Sequence, residues 1–117
     1  MKVKVIRIPV GEKPYVDEID NSLESLQSIV GGYIEPLYAF ERLDVALIMN
    51  EEGKLRQMPV NRVYERRYRG NLIDWDVLVG DMFVIGAHDD EEDFGSLTDY
   101  EISQVMELIG DCIITNA

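Results

Sequence analysis

Residues 2 to 8 read KVKVIRI, setting Lys2, Lys4 and Arg7 against Val3, Val5, Ile6 and Ile8. That near-alternation has the period of two of a half-buried β-strand, with one face dry and the other wet. A chain that opens this way must build a sheet and then cover it. The Gly and Pro of VGEKP, residues 10 to 14, turn the chain, and YVDEI brings it back, so an opening hairpin is expected.

The cover comes from two short helical patterns. Asn21 fits an N-cap with Glu24 completing a capping box, and Leu23, Leu26, Ile29 and Val30 follow on one helical face. Gly31 stands where a left-handed residue ends the helix. A phosphate-cradling loop has its glycines before a helix, so the Gly31-Gly32 pair has the wrong polarity for one. Thr98 and Glu101 repeat the capping box further on, Ile102, Val105, Met106 and Ile109 form the second stripe, and Gly110 closes it.

Between the helices the strand signals vary in strength. Tyr33 to Phe40 is interrupted by Pro36, which suits an edge strand or a bulge, whereas the apolar run from Asp44 to Met49 suits a central strand. Asn50 to Gly53 reads as a turn with Gly53 left-handed, closing a hairpin onto Lys54 to Met58. Residues 60 to 71, VNRVYERRYRGN, are polar and basic and read as an irregular loop or a single helical turn. A turn at Gly80-Asp81 leads into a strand from Met82 to Ile85. In CIIT, Cys112 is expected to be a small buried hydrophobe, and the apolar tail to form an additional strand or a dimer contact. The sum is a single α+β domain over residues 1 to 117, with a mostly antiparallel mixed sheet of about five to six strands and two packed helices.

Charge is distributed unevenly. Residues 1 to 69 hold 11 acidic and 11 basic side chains, while residues 70 to 117 hold 12 acids and no Lys or Arg, which accounts for the whole net charge of −12. Such an asymmetry suggests either a solubilising surface or a specialised contact face. No apolar run reaches the roughly 18 residues of a membrane span, and no signal-peptide core is visible, so a cytoplasmic protein without a membrane partner is expected. Cys112 is the single cysteine, which excludes an internal disulfide and a four-cysteine metal cage.

Two clusters are candidate binding sites. Asp89, Asp90, Glu91, Glu92 and Asp93 are rich in oxygen ligands, but an EF-hand count from Asp89 puts Phe94 at the glycine position and Tyr100 at the bidentate glutamate. They read as a solvated acidic loop, and no metal site is assigned. Asn61, Arg62, Arg66 and Arg67, interleaved with Tyr64 and Tyr68, resemble a nucleic-acid patch, yet the overall charge repels nucleic acid. The arginines are better read as partners of the acidic half, within the molecule or across a dimer. His88 is the single histidine and has no serine or cysteine motif beside it, so no catalytic residue, enzyme activity or cofactor is assigned.

The succession IDNSLESLQSIVGGYIE, DVALIMNEEGKL, PVNR and FGSLTDYEI resembles a family of small bacterial domains of unknown function designated DUF3846. The resemblance covers nearly the whole chain and implies an occurrence in plasmids, phages and conjugative elements. It brings no activity with it. Together with the charge asymmetry it leads to the expectation of a non-catalytic interaction or accessory module of a mobile element with a protein partner. The alternative is a DNA mimic whose carboxylates occupy the groove of a nucleic-acid-binding protein.

Overall fold

The computed structural model describes residues 1–89 and 93–116. Strands β1 (Lys2–Ile8) and β2 (Tyr15–Asp20) form the opening hairpin, pairing antiparallel from Lys2↔Asp20 to Arg7↔Tyr15. Helix α1 (Leu23–Val30) follows, then β3 (Ile34–Leu37), β4 (Val45–Asn50), β5 (Val60–Tyr68), β6 (Asn71–Val79), β7 (Met82–Gly86), α2 (Asp99–Leu108) and β8 (Ile113–Thr115). The class is α+β and mostly antiparallel. Among the described residues the strands number eight rather than five or six, and they form two sheets instead of one.

The larger sheet has the order β2-β1-β7-β4-β3 with every neighbour antiparallel, and the smaller has the order β6-β5-β8. Both faces of the larger sheet are buried, which is why β4 and β7 are apolar almost throughout. On one face Val5, Ile48 and Phe83 pack beneath Leu26 and Val30 of α1. On the other, Ile8, Leu47 and Val84 share a core with Tyr64 and Leu78 of the smaller sheet and Val105 of α2. The molecule is therefore layered: α1, the five-stranded sheet, then the three-stranded sheet with α2. Pro36 lies in edge strand β3 and β4 lies inside the sheet, as the sequence predicts.

Several local expectations are corrected. The cap of α1 is Ser22, whose Oγ accepts from Ser25 N–H at 3.2 Å; Asn21 instead donates its Nδ2 to Phe94 O at 2.6 Å, tying the helix start to a segment far along the chain. Leu23, in the first turn, stays exposed, and the buried stripe reduces to Leu26 and Val30 with Ile29 partly covered. The end of α1 is as expected, with Gly31 at φ 81° and its N–H bonded to Gln27 O at 2.8 Å. The capping box of Thr98 and Glu101 is present on α2, which ends at Leu108 with Ile109 as the cap, just before Gly110.

Lys54 to Met58 is not a strand. The chain winds through turns, with Arg56 N–H on Glu52 O at 2.8 Å and Met58 N–H on Gly53 O at 3.0 Å, and the left-handed residue is Gln57 at φ 54°, not Gly53. The basic stretch 60 to 71 is not a loop either: most of it is β5, hydrogen-bonded to β6. Cys112 is exposed rather than buried, because β8 begins one residue later and turns Ile114 into the core.

Candidate interaction surface

Asn61 and Arg62 lie at the start of β5, at a bulge where the register with β6 shifts, and both are buried. Asn61 donates Nδ2 to Ile8 O and to Gly80 O, each at 2.8 Å, and its Oδ1 accepts from Arg62 Nη1 at 2.6 Å. Arg62, 3% exposed, also donates Nε to Gly110 O at 2.7 Å and Nη2 to Glu12 O at 3.1 Å. This pair joins β1, the β1–β2 turn, the β6–β7 turn and the end of α2. Its role is structural, and the guanidinium is held by carbonyl oxygens instead of the acidic half.

Arg66 and Arg67 do find acids, but outside residues 70 to 117. Arg66 Nε binds Glu41 Oε1 at 3.0 Å, and Arg67 donates to both oxygens of Glu65 at 3.3 and 3.2 Å. Of the acidic run, Asp89 and Asp93 are exposed, while Asp90, Glu91 and Glu92 lie outside the described residues. Thus Asn61-Arg62, Arg66-Arg67 and Asp89/Asp93 occupy separate places: the root of β5, its far end, and the segment before α2. His88 Nε2 lies 3.0 and 3.1 Å from the two oxygens of Glu101, the same carboxylate that caps α2 by accepting Thr98 N–H at 2.9 Å. Among the described residues no group of three or more His, Cys, Asp or Glu could hold a metal ion. No helix among them is long and apolar enough to cross a membrane.

Of the smaller sheet the sequence reading expected only β8, as the additional strand of CIIT, and overlooked the rest. Residues paired across antiparallel or parallel strands project to the same side. Tyr64, its neighbour Ile114 and Leu78 turn inward and are buried. The opposite side therefore carries the rows Ile113–Val63–Val77, Thr115–Glu65–Trp75 and, past a second bulge, Arg67–Leu72. None of these residues belongs to either core cluster. Trp75 is 60% exposed, and Tyr68, Leu72, Ile73 and Ile113 are exposed beside or near it.

The β5–β6 turn fixes this ribbon. Arg69 and Gly70 have φ of 50° and 80°, the two successive left-handed residues of a tight hairpin whose twist suits the strands. The ribbon's inner side is polar as well, with Arg66 opposite Asp74 in register. Burial raises the Tyr64 phenol above its ordinary range, helped by the carboxylates of Glu41 and Asp74 and opposed by Arg66. Its hydroxyl donates to Ala39 O at 3.2 Å.

Fold and surface together define a small layered α+β domain that leaves one sheet face, bearing a tryptophan, uncovered by any described element. The chain belongs to the DUF3846 family, described as a domain of unknown function, whose family model matches residues 1–110 of 117. No curated protein and no solved structure gives a significant match.

Proposed function

We propose that the protein is a non-catalytic protein-interaction module, an accessory of a mobile genetic element, which contacts its partner through the outward face of the β6-β5-β8 sheet. The observation that carries this reading is the exposure of Trp75, at 60%, on a sheet face that also carries exposed Leu72 and Ile113 and half-buried Val63 and Val77, and that belongs to neither core cluster of the described residues. Exposed apolar side chains gathered on one face mark interaction sites, and tryptophan and tyrosine are the side chains most often found at their energetic centre. Arg67 and Glu65, bound to each other on the same face, place an ion pair directly beside Trp75.

The competing reading, imitation of DNA by rows of carboxylates, has less support. Asp81 accepts Val10 N–H, Glu101 caps α2 and Asp76 pairs with Lys54, so these carboxylates are already engaged within the fold. The test compares Trp75→Ala with Tyr100→Ala, the latter an equally exposed aromatic on α2, in recovery of partners from the source cells by quantitative mass spectrometry. We expect a protein partner that Trp75→Ala loses and Tyr100→Ala retains. Equal recovery by both variants, or recovery of a nuclease whose activity the protein blocks irrespective of Trp75, contradicts the reading.

A further inference from the structure

Among the described residues strand β6 ends its sheet and β3 ends the other, so each has one side without a neighbouring described strand. Residues of both strands line one cleft of about 450 Å³, together with Met49 of β4 and Glu51 and Lys54 of the following turn; its apolar lining includes Leu37 and Met49 and its charged lining Glu35, Glu51, Asp76 and Lys54. The direction of the β6 backbone groups follows from β5. Val63 N–H is bonded to Cys112 O at 2.9 Å and Glu65 O accepts Asn116 N–H at 3.3 Å, so these two residues turn their backbone toward β8. Their antiparallel partners Val77 and Trp75 therefore form the pairs without mutual hydrogen bonds, and their own N–H and C=O groups point to the free side. Trp75 N–H is covered by its neighbour, Asp74 Oδ1, at 2.8 Å. Val77, which lines the cleft, has no described strand beside it there.

We propose, building on the interaction-module reading, that this edge takes up an extended segment of the partner as an additional strand, and that the segment alternates Lys or Arg with apolar residues. Main-chain bonds to a sheet edge give such additions their affinity, and pockets for alternate side chains give them selectivity. Every second side chain of the added strand would enter the cleft beside Leu37 and Met49. The charge of the cleft sets the sign: among its lining residues three carboxylates, Glu35, Glu51 and Asp76, face the single ammonium of Lys54. A second copy of the chain is a poor occupant. Antiparallel pairing of β6 with itself about Trp75 sets Asp74 against Asp76, and two molecules of net charge −12 repel each other.

The purified protein is titrated with a labelled peptide of roughly ten residues that alternates lysine with valine and threonine, and with its glutamate counterpart, a length that suits one strand. Anisotropy reports binding and amide exchange reports where it occurs. We expect the lysine peptide to bind more tightly by about tenfold or more, to weaken as salt rises from about 50 to about 500 mM, and to slow exchange at Val77. Glu35→Lys/Glu51→Lys, which changes two exposed side chains of the cleft and leaves the backbone bonds of those positions in place, should reverse the preference while the melting temperature stays unchanged. Equal binding of both peptides, no binding, or binding without protection at Val77 overturns strand addition. So does protection of Val77 that grows with protein concentration in the absence of peptide. The Trp75-dependent capture is measured separately, so loss of the strand-addition proposal leaves the interaction reading to stand or fall on its own result.

Discussion

Asn61 is the residue whose chemistry most directly organises the fold. Its amide satisfies two carbonyls from different elements, and its oxygen orients the Arg62 guanidinium. A buried polar group left without its partner costs about 1–3 kcal/mol, so Asn61→Ala should lower unfolding free energy by roughly 2–4 kcal/mol, measured by urea denaturation. An unchanged urea midpoint would contradict the structural role. Tyr64 gives a pH signature. Its phenol is held above its unfolded value, so the native state keeps this proton more tightly. The stabilisation is complete below the ordinary tyrosine range and is lost as pH rises above about 10, where the unfolded chain ionises first. Tyr64→Phe, which also removes the bond to Ala39 O, should be less stable near neutrality and lose stability less steeply in alkali.

At the scale of elements, the strength of each sequence signal follows how the element is buried. Strands β1, β4 and β7 and the stripes of both helices were legible because their dry faces are apolar at the right period. Strand β5 was not, because its root buries Asn61 and Arg62, which hydrogen bonds make compatible with the core, and its far half is wet on both faces. The turn that would have announced the hairpin reads Arg69-Gly70, without the Asn or Asp that normally marks two left-handed residues. For the same reason Arg69→Asn should stabilise the protein by roughly 0.5 kcal/mol, raising the thermal midpoint, since asparagine tolerates this conformation better than arginine. Gly86 makes the opposite case. A Cβ there would lie 2.8 Å from Gly95 O and 2.9 Å from Ser96 O, both backbone atoms, so Gly86→Ala should be clearly destabilising in thermal melts.

For the whole molecule, the layers explain why a functional face was hard to find from residue types. The sequence directs attention to charge, in Asp89 to Asp93 and in the arginines, yet the arginines are engaged by Glu41, Glu65 and backbone carbonyls. The apolar surface arises from pairing the β5–β6 hairpin with β8, more than thirty residues further along the chain, so Ile113 joins the row of Val63 and Val77 only after folding. A faint signal existed in IDWDV, where aspartates alternate with Ile73, Trp75 and Val77. That alternation describes a strand with an apolar side, and no element of the described chain covers it.

The most direct measurement places a photo-reactive aromatic residue at position 75 and, in a second protein, at position 100, and irradiates cells that carry the native partner. Contact through the β6-β5-β8 face predicts a discrete adduct from position 75 and none from position 100. No adduct from position 75, or the same adducts from both, would contradict it.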